Sequence, residues 1–333
     1  MIWLGVDGGG TKTAGALVDD TGRVLAETVA PSSYYLHDGL DGVRAVLRVV
    51  IGALCNEAGT AASAIDHGFF GLPAYGEVSA DVPVLDTLPA DVLGHARYTC
   101  GNDMVCAWAG SLGGGDGVNV IGGTGSMTYG ERAGVGARVG GWGEVFGDEG
   151  SAYWIGVEGL RAASRMSDGR RARGPLLDVL VEHLGLEAEL DLVDVVLNRW
   201  HGDRGRIAGL ARQVTAAAAI GDETAAAVLA AAGRELALLV TATADRLAWP
   251  AHEPLPVSWS GGVFGSAPVR AAFRSALADA AGEYDLRAPL LSPVLGAALH
   301  AARLAGHPLS ERTVATLQGA GPVDAADPVG TGG

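Results

Sequence analysis

The sequence predicts a mixed α/β fold of two similar domains with a cleft between them. Its 333 residues are enough for two domains of ordinary size. Each half of the chain opens with three short strand-like segments, and a glycine-rich turn follows the first strand of each set. These two turns lie in GVDGGGTKT, residues 5–13, and in IGGTGS, residues 121–126. We therefore expect one domain architecture to occur twice.

Strand and helix patterns in the first half predict the order β-β-β-α-β-α-β. Residues 13–29 are predicted to form a hairpin that turns at Gly22, because glycine favours tight turns. Residues 43–59 carry apolar side chains at helical spacing and end at Gly59, so they predict an amphipathic helix. The other predicted elements are strands at 2–7, 67–72 and 96–100 and a short helix from Asp103.

The second half is predicted to repeat the three strands and then to become largely helical. The strand candidates are GVNVIGG, SMTYG and ARVGG, beginning at residue 117. Helical patterns then dominate, interrupted by one strand that enters a turn. The predicted helices are 150–166, 175–184, 206–220, 222–248, APVRAAFRSALADAAG and 292–306, and the strand lies in 255–262.

These patterns divide the chain into two domains and a tail. We place an N-terminal domain at residues 1–115 and a C-terminal domain with helical additions at residues 116–320. The last predicted helix, residues 293–306, is expected to pack back toward the N-terminal domain. Residues 321–333 lack hydrophobic periodicity, so we predict a mobile tail there.

Composition and charge argue against several classes of function. The net charge of −15 disfavours a broad nucleic-acid surface. The three cysteines form no C-x-x-C pair, so they predict neither a zinc ribbon nor a thioredoxin-like site, and they suit a reducing cytoplasm. The sequence shows neither a signal-peptide pattern nor about 18 uninterrupted apolar residues, so we expect no membrane partner.

The first glycine-rich turn predicts a hairpin that holds phosphates. Its sequence nearly matches the P-loop pattern, but Thr11 stands where that pattern needs lysine, and a strand follows instead of a long helix. Backbone amides of such a turn can hold phosphates, and Asp7 can hold Mg²⁺, which prefers carboxylate oxygens. An ordinary hairpin without a ligand is the alternative. The amides concerned belong to Gly9, Gly10, Thr11 and Lys12.

Paired hairpin turns, one in each half, resemble those of the superfamily of sugar kinases, actin and heat-shock ATPases. More closely, the chain resembles the BadF/BadG/BcrA/BcrD-type ATPase family, in its N-acetylglucosamine kinase branch, over roughly residues 1–306. The most specific of the shared motifs is GGWGEVFGDEGSAYWIG. Three other shared motifs precede it in the chain: GVDGGGTKT, CGNDMVCAWAG and IGGTGS. Three more follow it: RIAGLARQV, SGGVFGS and SPVLGAAL.

The resemblance implies a cytoplasmic, ATP- and Mg²⁺-dependent kinase that phosphorylates the 6-hydroxyl of an amino sugar, with N-acetylglucosamine as the first candidate. It implies duplicated actin-like (ribonuclease H-like) domains with a nucleotide cleft between them. The N-terminal domain would supply the sugar and phosphate side, and the C-terminal domain the nucleotide side. Family members are often dimeric, so a homodimer is also expected.

The family's site residues map onto this chain by position. Asp103 matches the catalytic base, which also contacts the substrate. Ser33 stands where the branch usually carries an asparagine that contacts the sugar, so glucosamine and N-acetylmuramic acid stay open as substrates. The positions that match nucleotide contacts are Thr11, Thr124, Gly209, Gly262 and Ser266. The positions that match the sugar site are Ser126, Met127, Gly141, Trp142, Gly143 and Asp148.

The residues themselves leave plainer alternatives open. A carboxylate such as Asp103 suits phosphoryl transfer, but it can instead cap the following helix, with Asn102 as its competitor. Asp148 can accept hydrogen bonds from sugar hydroxyls or cap the helix predicted from residue 150. Trp142 lies between glycines and offers a flat apolar face to a pyranose ring, although aromatic residues more often pack in a core.

Two other classes of function remain open at this stage. The first is an ATPase that activates a CoA-ester dehydratase or reductase and holds an iron–sulfur cluster with cysteines from two subunits. Cys55, Cys100 and Cys106 lie within helix and strand patterns, which does not favour it. The second is a non-catalytic sugar-binding regulator, which the presence of Asp103 disfavours.

Overall fold

The chain folds into two compact units, each with its own five-stranded sheet. The computed structural model describes residues 1–319. The predicted tail, residues 321–333, lies outside the described residues. Unit 1 comprises residues 1–114 and the C-terminal segment from Leu290, and unit 2 comprises residues 115–289. The helix predicted at 293–306 therefore belongs to unit 1.

The sheet of unit 1 contains a three-stranded meander and two added parallel strands. Its order is β3-β2-β1-β4-β5, in which β1, β2 and β3 are antiparallel and β4 and β5 run parallel to β1. The predicted hairpin and the predicted strand at 67–72 are confirmed. The strands are β1 (Ile2–Gly8), β2 (Lys12–Asp19), β3 (Val24–Pro31), β4 (His67–Leu72) and β5 (Tyr98–Asn102).

Helices cover both faces of this sheet. The helices of unit 1 are α1 (Tyr35–Ala58), α2 (Val82–Leu85), α3 (Ala90–Leu93), α4 (Met104–Leu112), α11 (Pro293–Leu304) and α12 (Glu311–Gly319), with a 3₁₀ turn at Ala62–Ala64. The predicted apolar face of α1 is buried against β2 and β3, and the helix ends at Gly59 with φ +61°. On the opposite face, α11 packs on β1 and β4. Alternate residues of β1 therefore enter two different cores.

Three glycines bring α11 unusually close to its neighbours. A methyl group on Gly296 would lie 2.1 Å from the amide nitrogen of Gly110 in α4 and 2.5 Å from the carbonyl oxygen of Cys106. A methyl group on Gly5 in β1 would lie 2.3 Å from the carbonyl oxygen of Val294. Backbone therefore contacts backbone at this seam, and no other residue type fits at these positions.

Unit 2 repeats the antiparallel meander and adds parallel strands beside it. The sheet order is β10-β9-β6-β7-β8, in which β9 runs parallel to β6 and β10 parallel to β9. The strands are β6 (Gly117–Gly122), β7 (Ser126–Arg132), β8 (Val135–Gly140), β9 (Leu255–Ser260) and β10 (Tyr284–Leu286). The predicted mixed α/β class with a duplicated strand meander is thereby confirmed.

The helical additions of unit 2 differ from prediction in a few places. They are α5 (Ala152–Ser167), α6 (Pro175–Leu184), α7 (Arg204–Gly209), α8 (Ala211–Ala219), α9 (Glu223–Arg246) and α10 (Ala267–Asp279), with short turns at Glu189–Asp191, Asp194–Arg199 and Gly262–Gly265. The helix predicted at 206–220 is divided at Leu210. The backbone amide of Leu210 donates to the carbonyl of Ile207, which is the spacing of a 3₁₀ turn. The π-helical turn Asp194–Arg199 and the three-residue strand β10 were not predicted.

Helix α9 is the central helix of the unit 2 core. By length and composition alone it could cross a membrane. Its buried side chains include Leu229, Leu236 and Val240, which belong to the same core as Val118 of β6 and Phe273 of α10. Its apolar character is thus used for packing within unit 2.

The glycine seam of α11 predicts a clear stability difference between two similar substitutions. Gly296→Ala should destabilise the protein by about 1–3 kcal/mol, because the added methyl overpacks a contact between backbones. Gly52→Ala is the matched control, since Gly52 lies in helix α1 and a methyl group there meets nothing within 4 Å. Thermal unfolding followed by circular dichroism measures both. Equal melting temperatures for the two variants would contradict the close approach described here.

Candidate active site

The parallel strands of unit 1 bring two carboxylates to one edge of the sheet. Asp7 lies near the end of β1, and Gly71 of β4 is its partner in register. Asp103 follows β5 directly. A methyl group on Gly71 would lie 3.1 Å from the Cα atom of Asp103 and 2.2 Å from the sulfur of Cys106. The missing side chain at Gly71 therefore lets the start of α4 approach the ends of β1 and β4.

Asn102, not Asp103, caps helix α4. The Asn102 side-chain oxygen accepts a hydrogen bond from the amide of Met104 at 3.1 Å, and its amide nitrogen donates to the carbonyl of Tyr75 at 3.1 Å. The side chain of Asp103 makes no capping hydrogen bond to the helix that it precedes. The structure thus resolves the alternative left by the sequence: the Asp103 carboxylate is not used as a helix cap.

The carboxyl group of Asp7 is electrostatically unfavourable in its charged form. Desolvation raises its pKa from the ordinary value of 3.8 to about 8, and the negative charge of Asp103 adds to this effect. A hydrogen bond from the Cys106 thiol and the charge of Lys12 act in the opposite direction. Burial also raises the pKa of the Cys106 thiol, which therefore stays protonated at neutral pH. A cation beside the two carboxylates would relieve this strain, so the residues present fit a hard divalent ion.

The first glycine hairpin, between β1 and β2, is fastened at its base and exposed at its tip. The amide of Gly9 donates to the carbonyl of Lys12 at 2.8 Å, which closes the turn. The hydroxyl of Ser32 donates to the carbonyl of Gly9 at 2.9 Å. Gly10 and Thr11 are exposed, and a methyl group on Gly10 would meet nothing within 4 Å. The tip therefore has open space above its amides.

Ser33 lies beneath this hairpin. Its side chain is 1% exposed, and its hydroxyl accepts a hydrogen bond from Thr13 at 3.0 Å. A methyl group on Gly8 would lie 2.5 Å from the same hydroxyl oxygen. In this conformation Ser33 supports the base of the hairpin. Sequence reasoning missed Ser32, because its contact with Gly9 depends on the pairing of β2 with β3.

The second glycine hairpin, between β6 and β7, rests on the N-terminus of α5. The carbonyls of Gly123 and Thr124 accept hydrogen bonds from the amides of Ala152 and Tyr153 at 2.9 and 3.3 Å. These amides are among the four that a helix start leaves unpaired. Ser151 satisfies another by accepting from Trp154 at 3.1 Å, so it is the cap of α5. Thr124 is exposed at the tip, as Thr11 is in the first hairpin.

The turn after β9 lies directly against the second hairpin. A methyl group on Gly261, whose φ is +93°, would lie 2.4 Å from the carbonyl oxygen of Gly122 and 2.8 Å from the amide nitrogen of Gly123. Gly262 follows on the surface, and the hydroxyl of Ser266 is buried without a hydrogen-bond partner among the described residues. Sequence analysis gave site roles to Gly262 and Ser266 and included Gly261 only within the motif SGGVFGS, whereas the structure shows Gly261 directly against the hairpin.

Asp148 is an ion-paired support of the second hairpin. It is 3% exposed and has a left-handed backbone with φ +58°. One carboxylate oxygen accepts from the amide of Ser126 at 3.4 Å, and the other accepts from the guanidinium of Arg204 at 2.5 Å. Burial raises the pKa of Asp148, and the charge of Arg204 opposes this. Nothing in the sequence singled out Arg204.

Several of the predicted sugar-site residues lie together at the start of β7. Met127 pairs with Gly140 across β7 and β8, and a methyl group on Gly141 would lie 2.5 Å from the Met127 side chain. The Ser126 hydroxyl donates to the carbonyl of Glu149 at 2.6 Å. Trp142 is 70% exposed, so the core alternative for this residue is wrong. Gly143 follows it in the same loop, with φ +83°.

Gly209 lies farther from the second hairpin along α7. This helix begins at Arg204 beside the hairpin and ends at Gly209. Gly209 lines a surface cavity together with Trp200 and Arg206. The structure describes no contact that brings Gly209 to the hairpin, so its predicted nucleotide role rests on the sequence motif.

Sequence and structure comparisons relate this chain to one protein family. The sequence model of the BadF/BadG/BcrA/BcrD ATPase family matches residues 4–301. An N-acetyl-D-glucosamine kinase from Dictyostelium discoideum is 31% identical over 274 residues, which cover 78% of this chain and 85% of that protein. An N-acetylmuramic acid/N-acetylglucosamine kinase from Clostridium acetobutylicum is 31% identical over 264 residues, covering 78% and 84%. The solved structure of a provisionally named N-acetylglucosamine kinase from Chromobacterium violaceum has a TM-score of 0.67 and 27% identity, covering 90% and 98%.

The two meander-based units, each with its own glycine hairpin, have the fold of the actin-like class of proteins. Within that class, the chain belongs to the BadF/BadG/BcrA/BcrD ATPase family. The family and the actin-like fold predicted from the sequence motifs are therefore confirmed.

The raised pKa of Asp7 predicts a pH-dependent stability. A folded-state pKa above the unfolded value means that the folded state holds the proton more tightly, so stability is lost as pH rises from about 4 to about 8. Asp7→Asn removes the charge and should gain melting temperature relative to the wild type across this window. Each kcal/mol relieved corresponds to roughly 2–4 °C.

Differential scanning fluorimetry between pH 5 and pH 8.5 measures the effect in the absence of nucleotide. Asp279→Asn, at an exposed position of α10, is the control for a neutralised carboxylate. Parallel pH profiles for the wild type and Asp7→Asn would show that Asp7 does not titrate in this range.

Proposed function

We propose that this protein is an ATP-dependent amino-sugar kinase that transfers the γ-phosphate of ATP to the 6-hydroxyl of N-acetylglucosamine. The observation that carries the proposal is the position of Asp103 directly after β5, at the same edge of the sheet as Asp7. Relatives from Dictyostelium discoideum and Clostridium acetobutylicum, each 31% identical, bear names that include N-acetylglucosamine kinase. A carboxylate near the acceptor hydroxyl and two phosphate-holding turns are the parts that phosphoryl transfer needs.

In this proposal, Asp103 is the general base. It orients the sugar hydroxyl and accepts its proton as the hydroxyl oxygen attacks the γ-phosphorus, and ADP leaves with the electrons of the broken P–O bond. The exposed tip of the first hairpin holds phosphate oxygens through backbone amides and the hydroxyl of Thr11. The residues of this tip are Gly10, Thr11 and Lys12, and Gly9, also proposed to contact the phosphates, closes the turn below them.

Asp7 is the proposed ligand for Mg²⁺, either directly or through water. Its raised pKa indicates a carboxylate that a nearby cation would stabilise. The described residues contain no cluster of three or more histidine, cysteine or acidic groups with metal-site geometry. We therefore propose that the ion enters with the nucleotide, whose phosphate oxygens complete its coordination and whose charge it neutralises.

Unit 2 is proposed to supply the remaining contacts with nucleotide and sugar. Thr124, at the exposed tip of the second hairpin, holds phosphate oxygens. The proposed contacts with the rest of the nucleotide are Gly209, Gly262 and Ser266, the last of which has a buried hydroxyl that lacks a hydrogen-bond partner. The proposed sugar contacts are Ser126, Met127, Gly141, Trp142, Gly143 and Asp148. The exposed indole of Trp142 supports stacking against a pyranose ring.

The choice among amino sugars is the least constrained part of the proposal. Ser33 replaces the asparagine usual in this branch, and its buried hydroxyl bonds to Thr13. An asparagine contact with the sugar is therefore absent, which supports tolerance of a bulkier substrate. Glucosamine and N-acetylmuramic acid are the alternatives, and the Clostridium relative is named for N-acetylmuramic acid as well as N-acetylglucosamine.

The other classes of function receive less support. An activator with an iron–sulfur cluster needs thiolates, whereas burial raises the pKa of Cys55, Cys100 and Cys106. A non-catalytic regulator does not require a carboxylate at the position of Asp103. A cytoplasmic location and a homodimer are part of the proposal by family resemblance.

A coupled assay of ADP release tests the proposed activity. ATP and Mg²⁺ are supplied with N-acetylglucosamine, N-acetylmuramic acid, glucosamine, glucose or no sugar, and the product is identified by phosphorus NMR. We expect release that depends on the sugar, with the highest kcat/KM for N-acetylglucosamine and a phosphate on its 6-oxygen. Equal release with and without sugar, or iron in the purified protein, would instead support the ATPase activator.

Asp103→Asn should remove base catalysis while preserving the fold. The amide keeps the size of the carboxylate, and Asn102 continues to cap α4. We expect kcat to fall by about 10²–10⁴-fold, with little change in the melting temperature or in MgATP binding. Asp91→Asn, whose carboxylate pairs with Arg44 on the surface, is the control. A folded Asp103→Asn variant with near-normal turnover would exclude Asp103 as the base and turn attention to Asp148 and Glu149.

A further inference from the structure

Arg204 occupies the point where three segments of unit 2 meet. It is the first residue of α7, which Asp203 caps by accepting from the amide of Arg206 at 2.7 Å. Its guanidinium contacts both Asp148, at 2.5 Å, and Glu144, whose carboxylate oxygen lies 3.3 Å from the Arg204 Nε atom. These two acidic residues belong to the loop 141–148, which carries most of the proposed sugar contacts. One side chain of α7 thus holds the loop at two places.

The same guanidinium lies against the second glycine hairpin. A methyl group on Gly125 would lie 2.5 Å from the Arg204 Nη2 atom and 2.7 Å from the Asp148 Oδ2 atom. Asp148 also accepts from the amide of Ser126. The hairpin backbone therefore packs directly on the ion pair, with no side chain between them.

We infer that Arg204 is a positioning residue for phosphoryl transfer: through Asp148 and Glu144, it couples the sugar-side loop 141–148 to the phosphate-holding hairpin 122–126. The inference rests on the proposed function for the roles of the loop and the hairpin. In this inference, Arg204 contacts neither the sugar nor the nucleotide. Its role is to fix the position of the loop relative to the hairpin.

The charge of Arg204 is essential to this role because Asp148 is almost fully buried. The charged groups that face Asp148 are Arg204, which favours its ionised form, and Glu144, which disfavours it. Without Arg204, burial and Glu144 would raise the pKa of Asp148 further. A protonated Asp148 is a weaker acceptor for the Ser126 amide, so the hairpin would lose its anchor.

Binding measurements can detect a coupling between the loop and the hairpin. If the two segments are held in fixed positions, sugar bound at the loop should tighten nucleotide binding at the hairpin. Nucleotide should then tighten sugar binding by the same factor. In the wild type we expect saturating N-acetylglucosamine to lower the Kd of MgADP by roughly 5-fold or more. Isothermal titration calorimetry with MgADP, with and without the sugar, provides this factor.

The test compares Arg204→Met with Arg204→Lys and with the control Arg274→Met. Arg274 is exposed on α10, outside the residues proposed to contact sugar or nucleotide. Arg204→Met should weaken MgADP binding roughly 10-fold, as expected for loss of a charge-assisted contact, and should abolish the effect of the sugar. Arg204→Lys keeps the charge and should recover part of both. Arg274→Met should behave as the wild type does.

The pH profile supplies a second measurement that a purely structural role would not change. Loss of Arg204 should raise the pKa of Asp148 above its wild-type value, so that Asp148 ionises at a higher pH in Arg204→Met than in the wild type. The MgADP affinity of Arg204→Met should therefore rise with pH more than that of the wild type when both are titrated side by side. If Arg204→Met folds poorly, Arg204→Met/Asp148→Asn removes the unpaired buried charge, and it should regain melting temperature without regaining MgADP affinity.

Two results would overturn the inference. One is an Arg204→Met protein that melts at a lower temperature but keeps wild-type MgADP affinity, sugar coupling and pH profile. The other is an Arg204→Met/Asp148→Asn protein with wild-type MgADP affinity. Failure of the proposed function is distinguishable, because it would appear as a wild type without sugar phosphorylation. The dependence of MgADP affinity on Arg204 and on pH would still decide whether the arginine supports the hairpin.

Discussion

The glycine seam around α11 is the contact on which the carboxylate-bearing edge of the unit 1 sheet depends. Because Gly5, Gly110 and Gly296 have no side chains, α11 can touch β1 and α4 through backbone atoms. This contact fixes α4 against the sheet, and the start of α4 determines where Asp103 lies. Gly71 adds a second close approach on the strand side. The position of the carboxylate proposed as the base therefore depends on four residues that have no side chain.

The two units use the same device, a hairpin with an exposed glycine tip, but they anchor it differently. In unit 1, Ser32 and the pair Thr13–Ser33 hold the hairpin to the neighbouring strand ends by hydroxyl groups. In unit 2, the hairpin gives its carbonyls to the N-terminus of α5 and rests on an ion pair. Uncharged hydroxyl groups suit the hairpin of unit 1 because it lies beside Asp7 and Asp103. Burying a further charge there would cost desolvation free energy.

Much of the fold was predictable, because local patterns determine the elements concerned. The strand at 67–72 and the helix at 175–184 have the predicted bounds, since apolar residues and flanking glycine or proline mark both ends. The site was predictable where a motif is continuous, as in the two hairpins. Arg204 and Ser32 were missed because each acts on a segment distant in sequence. Asn102 and Asp103 stood side by side as capping candidates, and only the geometry at Met104 separates them.

The course of the chain through the two units has a consequence for biosynthesis. Unit 2 is a continuous segment, whereas unit 1 is assembled from the N-terminal segment and the one that begins at Leu290. On the ribosome, the first sheet emerges long before α11, so Trp3, Ala16 and Val18 have no apolar cover until α11 has been made. Unit 2 can complete its core in the meantime. The unit made first is thus the last to mature, and its exposed sheet face is where a nascent-chain chaperone would act.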